Sequence, residues 1–252
     1  MTTRAKTFRK VSLRVALITA VTLFGSIVFI TALLIMAHFN SLRASGAEYD
    51  SLRDVANNTQ SSGVSDAQVS ELDLEMLKIN PDYICWIRVE GTNIDHPVVQ
   101  GEDNEKYLTT SFSGDYNMAG SIFMDYRVEG EIAAYTAGES LPHIIIYGHN
   151  TNGGGMFSDL RKFQNEQFFD ENRTITLIIN DVEVRYEIFS ARHSNINDPA
   201  YFLNFEAPRS FYGFANRIDA PMAATQIITL STCVSTGDSD ERFIVQGYRL
   251  LD

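Results

Sequence analysis

Hydrophobic and polar positions divide this chain into three textures. From Val15 to Ala37 there are 23 positions without a charge, built from Val, Leu, Ile, Phe, Ala and small residues. As a helix rising about 1.5 Å per residue, the run reaches roughly 35 Å, enough to cross a hydrocarbon core. Residues 41–65 are polar, with Ser51, Asn57, Asn58, Thr59, Ser61, Ser62 and Gly63, and read as a stalk, helical at first and then flexible. Over 66–79 the apolar residues Val69, Leu72, Leu74, Met76, Leu77 and Ile79 loosely fit a helix, with Asp66 as its N-cap and Asn80-Pro81-Asp82 as its stop.

After that helix the period shortens. Strand-like runs occur at 83–89, 94–99, 120–124, 143–147, 174–179, 182–191, 226–233 and 243–250, separated by turns. Asn180-Asp181 joins two of them as a tight hairpin. Eight short strands with few helices predict an all-β barrel or sandwich with peripheral helices. The main helical interruption is 199–218, whose Tyr201, Phe202, Phe205, Phe211, Tyr212 and Phe214 read chiefly as packing. There is no internal repeat.

Charge sharpens this division. The first 43 residues hold no acid and six bases (Arg4, Lys6, Arg9, Lys10, Arg14, Arg43), which leaves 14 bases against 32 acids, a net of −18, for the rest. Five bases precede the apolar run, so the positive-inside rule places the N-terminus in the cytoplasm and everything after residue 40 outside. A cleaved signal peptide is the competing reading, but its apolar region would be about 7–15 residues long. An acidic exported domain repels phosphates, so nucleic acid is not an expected partner.

Only two cysteines are present. Cys85, within Tyr83-Ile84-Cys85-Trp86-Ile87, reads as a buried, inert thiol, and a Cys85–Cys233 disulfide is the alternative. Cys233 ends an apolar strand and is followed by a loop and a second strand from Arg242. If those strands pair antiparallel, Cys233 and Arg242 face each other across the loop mouth. A cation beside the sulfur favours thiolate and can stabilise an oxyanion. A thiol nucleophile also needs a proton partner. His149 follows Ile144-Ile145-Ile146-Tyr147-Gly148, where an apolar strand breaks and exposes the next side chain on a loop. His143 starts the same strand, about 20 Å away at 3.3 Å per residue, so the two cannot share one small site. Asp238, Asp240 and Glu241 read as a solvated acidic loop rather than a calcium site, and Asn152-Gly153-Gly154-Gly155 as a loop without the Gly-Lys-Ser/Thr of a phosphate binder.

Thr229-Leu230-Ser231-Thr232-Cys233 matches the TLxTC signature of the sortase family of cell-surface cysteine transpeptidases, and Tyr147-Gly148-His149 and Arg242 complete the pattern. Within that family the chain resembles class B. The serine inside the signature, Gly91 to Gly101, Gly120-Ser121-Ile122-Phe123-Met124-Asp125-Tyr126-Arg127 and the stretch from Gly148 to Phe157 carry the likeness, as does a long helix before the last two strands. The resemblance covers about residues 66–252. It implies an eight-stranded barrel behind a single transmembrane helix. It divides the chain into a cytoplasmic tail (1–14), an anchor (15–38), a stalk (39–65) and a catalytic domain (66–252).

The resemblance also implies cleavage of a C-terminal sorting signal after threonine through a thioester on Cys233. His149 would be the acid and base, and Arg242 the oxyanion or carbonyl holder. The partners implied are secreted proteins bearing the signal, a peptidoglycan (or pilin) amine as acceptor and the cytoplasmic membrane, with no cofactor and no metal. Ser231, Thr232, Tyr147, Asp95, Asn197, Tyr201 and Phe202 are the expected substrate-binding residues. His96 stands where class B members usually carry tyrosine and is expected to alter the peptide groove; Cys85 occupies a position that is often small. A non-catalytic tethered peptide-binding barrel and another cell-wall cysteine enzyme are the alternatives.

Overall fold

The structure is a computed structural model and describes residues 2–59, 70–128, 142–151, 154–205, 208–234 and 240–250. The chain forms two compact units, Met1–Arg43 and Ala44–Asp252. The first is the N-terminal part of helix α1 (Thr2–Thr59), in which Val15–Ala37 is exposed, apolar and long enough to cross a membrane.

The second unit is a closed eight-stranded barrel. Its strands are β1 (Tyr83–Val89), β2 (Asp95–Val99), β3 (Ile122–Met124), β4 (His143–Tyr147), β5 (Thr174–Ile179), β6 (Val182–Asn195), β7 (Ile227–Cys233) and β8 (Glu241–Arg249). Their order around the barrel is β1-β2-β3-β4-β7-β8-β6-β5, with β5 closing back on β1. Asn180 and Asp181 both adopt positive φ (50° and 61°), the conformation a two-residue type I′ hairpin requires between β5 and β6. Strand β4 lies parallel to β7, and Ile144, Ile145 and Ile146 are all fully buried. That is why β4 reads as a continuous apolar run rather than an alternation. Trp86, Tyr186, Phe157 and Ile87 are among the large side chains that fill the core.

Three expectations shift. Residues 44–59 are not free stalk: Tyr49, Leu52 and Ala56, spaced i, i+3 and i+7 on α1, are buried in the main core. Polar residues on the other face of that helix hide the stripe from a compositional reading. Helix α2 (Glu71–Ile79) starts at Ser70, whose hydroxyl accepts from the Asp73 amide at 3.1 Å; Asp66 and residues 60–65 lie outside the described residues. The 199–218 interruption is not one helix. A 3-10 turn at Pro199–Tyr201 is capped by Asp198, residues 202–205 leave the helix, and α4 (Pro208–Arg217) starts afresh at a proline that supplies no amide to a preceding turn. Phe205, Phe211 and Phe214 pack there as a second cluster against Ile227. A short helix, α3 (Glu166–Glu171), lies between β4 and β5.

Strand β6 runs four residues past its expected end. Its polar tail, Arg192 to Asn195, shows no apolar alternation, but it pairs with β8 through Asn195↔Glu241 and extends the sheet to the mouth of the loop after Cys233.

Candidate active site

Because β4 and β7 run parallel, their C-terminal ends emerge at the same end of the barrel, with Tyr147 beside Ser231. The Gly148 amide continues the ladder by donating to the Ser231 carbonyl at 3.2 Å. His149 therefore leaves β4 where Cys233 leaves β7. Across the next ladder Cys233 is directly opposite Arg242, as an antiparallel β7–β8 pair demands. All three line one cleft of about 610 Å³.

The loop carrying His149 is tied down on both sides. Its carbonyl accepts from the Phe157 amide at 3.0 Å, and its Nε2 lies 2.8 Å from the Leu108 carbonyl oxygen. A carbonyl only accepts, so Nε2 carries the proton and Nδ1 keeps the lone pair that can take up or release a proton. Gly148 is required by close approach: a Cβ there would sit 2.7 Å from Cγ of the fully buried Phe157 ring.

One wall of the cleft is a chain of hydrogen bonds ending on a buried acid. Tyr147 donates its hydroxyl to Asp125 Oδ2 at 2.8 Å, and Arg127 holds both carboxylate oxygens through Nε (2.9 Å) and Nη2 (2.7 Å). Burial raises the Asp125 carboxyl, but the bonds from Arg127 and Tyr147 outweigh it and hold it below the usual carboxylate range. Burial, reinforced by Asp125, pushes the Tyr147 phenol up, so it stays a donor. The Tyr147 ring stacks on Tyr201 (centroids 6.4 Å apart, planes 9° apart), whose hydroxyl lies 2.8 Å from Ser231 Oγ. Arg192 clamps Asp198 with two bonds of 2.6 and 2.8 Å and holds its carboxyl down to about 2, which fixes the turn bearing Tyr201 and Phe202.

Ser231, Thr232, Tyr147, Asn197, Tyr201 and Phe202 all line the cleft with the three candidate catalytic groups. Thr232 Oγ1 is buried without a hydrogen-bond partner among the described residues. Asp95 does not belong here. It bonds Trp86 Nε1 (2.5 Å) and Arg88 Nε (2.9 Å) and lines a separate cleft with Arg88, Thr176 and Arg185. His96 lies in neither cleft; it is buried edge-on against Tyr49. Asn104, Leu108, Arg127 and Asp198 line the groove without having been expected. Only Arg127 left a trace, inside Asp125-Tyr126-Arg127.

His143 has a structural role. Its Nδ1 donates to the Phe202 carbonyl (2.8 Å), its Nε2 faces Thr229 Oγ1 (2.9 Å), and burial lowers its pKa to about 4. Cys85 is a free, fully buried thiol pushed far up by burial. Cys233 is also free and partly accessible, so the two form no disulfide. Of the loop residues considered for ion or phosphate binding, Asn152, Gly153 and Asp238 lie outside the described residues.

The Sortase domain family matches residues 87–250, a span that includes every residue of the cleft. The chain belongs to the sortase family, in its class B branch. It is 30% identical over 185 residues to sortase B of Listeria monocytogenes, covering 69% of this chain and 72% of that one. The X-ray structure of Clostridium perfringens sortase B superposes with a TM-score of 0.62 at 30% identity, over 71% of this chain and all of the other. A Staphylococcus aureus sortase B–substrate complex superposes with a TM-score of 0.68 at 24% identity, over 82% and 97% of the two chains. This sortase is therefore a cysteine transpeptidase, and its barrel is the class B barrel.

Proposed function

We propose that this sortase is anchored by Val15–Ala37 with its N-terminus in the cytoplasm, and that it cleaves a C-terminal sorting signal after threonine and passes the protein to a peptidoglycan amine. The observation that carries the reading is the convergence of Cys233, His149 and Arg242 on one cleft from three strand ends. Cys233 gives its thiol proton to His149, and the thiolate then attacks the threonine carbonyl carbon, with the carbonyl electrons moving to oxygen. Arg242 donates to that oxyanion from across the ladder. As the oxyanion collapses the C–N bond breaks, and His149, doubly protonated, gives a proton to the departing amine. The product is a thioester and a neutral imidazole. An incoming amine then attacks the thioester, loses a proton to His149 and expels the thiolate, and return of that proton to sulfur restores the starting state.

The Leu108 carbonyl stays on Nε2 through both half-reactions, so the proton moves at Nδ1. Tyr147, Tyr201, Ser231, Thr232, Asn197 and Phe202 form the walls along which the signal peptide lies. A Staphylococcus aureus sortase B of the same fold has been solved as a substrate complex, which supports substrate binding by this barrel. Five bases ahead of the apolar run and an acidic remainder support the orientation.

The test is intact mass of the full chain in detergent after mixing with sorting-signal peptides, with Cys233→Ala alongside and a parallel sample given hydroxylamine, which releases the thioester as a peptide hydroxamate. The expected adduct equals the peptide up to its threonine and is absent in the variant. Peptide binding that Cys233→Ala leaves intact, with no adduct and no cleaved peptide from the unaltered chain, would instead identify a barrel that binds without cutting.

A further inference from the structure

The geometry points to a positioning role for Tyr49, on the membrane-proximal helix, which aligns His149 through the segment that carries Leu108. This inference rests on the acid–base role proposed for His149. The His149 ring is aimed by one polar contact, Nε2 to the Leu108 carbonyl. Leu108 ends a 3-10 turn (Lys106–Leu108), and a main-chain carbonyl has no rotamer of its own, so its direction follows whatever holds that turn.

The turn is held by a crossing segment, and that segment is held by α1. Ser121 crosses back over the turn: its amide donates to the Tyr107 carbonyl (3.0 Å) and its hydroxyl to the Thr110 carbonyl (2.8 Å), bracketing Leu108 from both sides. Gly120, at φ +58°, lies so close that a Cβ would stand 2.4 Å from the Tyr107 oxygen and 2.7 Å from the Leu108 oxygen. The buried Tyr49 hydroxyl meets this crossing, 3.2 Å from the Gly120 carbonyl and 3.3 Å from Ser121 Oγ. One residue earlier, Glu48 accepts from the amide (2.8 Å) and hydroxyl (2.9 Å) of Ser113 in the same segment. The path from Tyr49 to His149 is thus continuous, through Gly120 and Ser121 to the Leu108 carbonyl and on to Nε2. It joins residues 100 positions apart, and Tyr49 itself lies outside the cleft. A shift of about 1 Å in a reacting group is enough to cost on the order of 10²-fold in rate.

The experiment uses the full chain in detergent, with ring ¹⁵N-labelled histidine and a cleavable sorting-signal peptide. Tyr49→Phe keeps the ring and removes one hydroxyl; Gly120→Ala drives a methyl at the Leu108 oxygen. Tyr49→Phe is expected to lower kcat about two- to tenfold, the worth of one hydrogen bond, with KM unchanged. Gly120→Ala is expected to lower kcat by more. In both variants the His149 ring spectrum moves from a single Nε2–H tautomer to a mixture. A role in packing alone would lower the melting temperature and leave the tautomer and kcat of the folded enzyme as they were, and that result overturns the inference. If Gly120→Ala does not fold, Tyr49→Phe decides alone. His149→Ala separates the two levels: retained transfer would remove the acid–base reading itself, whereas lost transfer together with an unmoved tautomer in Tyr49→Phe removes only the positioning role.

Discussion

Gly148→Ala tests the contact that brings β4 up to the cleft. The new methyl would meet Phe157 at 2.7 Å (Cγ), 2.9 Å (Cδ2) and 3.2 Å (Cβ), well inside van der Waals contact. Phe157 is fully buried, and its amide bonds the His149 carbonyl, so it cannot swing aside without moving the catalytic loop. Overpacking of this kind costs about 1–3 kcal/mol. At about 2–4 °C per kcal/mol for a domain of this size, melting falls by roughly 2–12 °C. The rate effect should be at the upper end of the stability effect, because His149 is the next residue. Displacement near 1 Å lowers kcat/KM on the order of 10²-fold. The assay pairs a thermal melt with cleavage of a signal peptide, in Gly148→Ala, Phe157→Leu and the double variant. Phe157→Leu opens room for the methyl, so the double variant should be more stable than the sum of the singles by about 0.5–3 kcal/mol. Strict additivity, or Gly148→Ala with unaltered melting and turnover, would refute the argument that ring contact dictates glycine here.

His96 should make the fold acid-sensitive. Its two ring nitrogens are buried with no hydrogen-bond partner among the described residues. Burial first, and then Arg53, lower its pKa to about 4 against the opposite pull of Asp95 and Asp50. A histidine depressed in the fold binds its proton more readily when unfolded, so stability falls as pH drops from about 6.5 towards 4, by about 2 kcal/mol between pH 7 and pH 5. His96→Leu should flatten that slope in melts at the two pH values, and an unchanged slope would remove His96 as its source. Iodoacetamide should add one group per native chain, at Cys233, and two in denaturant, since Cys85 is fully buried; intact mass of Cys233→Ala, expected unlabelled when native, checks the assignment. Arg242→Lys keeps the charge but loses the planar fork, and should lower kcat about 10²–10³-fold with melting unchanged; wild-type turnover would move the oxyanion role elsewhere.

How much of this was legible in the sequence depended on whether the signal was local. The strands and the Asn180-Asp181 hairpin follow from alternation and turn chemistry, and the eight expected strands are the eight observed. The Cys233–Arg242 opposition needed only a hairpin-like pair joined by a short loop. His149 needed an apolar strand broken by glycine. What was hidden depends on partners distant in sequence. The run Ile144-Ile145-Ile146 announces a strand buried on both faces but not that its neighbour is β7, and without that pairing the approach of His149 to Cys233 comes only from resemblance. Arg127 enters the cleft because buried Asp125 aims it, and Tyr49 is core because the barrel covers one face of residues 44–59, whose other face is polar.

Asp95 and His96 show where strand alternation outranks resemblance. Consecutive side chains on a strand point to opposite faces, so these two neighbours could never both have lined one groove. The register decides which goes where: Asp95 pairs with Arg88, and both carry partly exposed side chains joined by an ion pair on the outside of β1 and β2. His96, opposite Ile87, turns inward beneath Tyr49. Asp95 is held on Oδ1 by the Trp86 indole and the Arg88 guanidinium in a separate cleft, outside the one that holds Cys233, and a buried imidazole cannot touch a peptide. His96 therefore bears on how residues 44–59 of α1 seat on the barrel, and it lines no part of the groove.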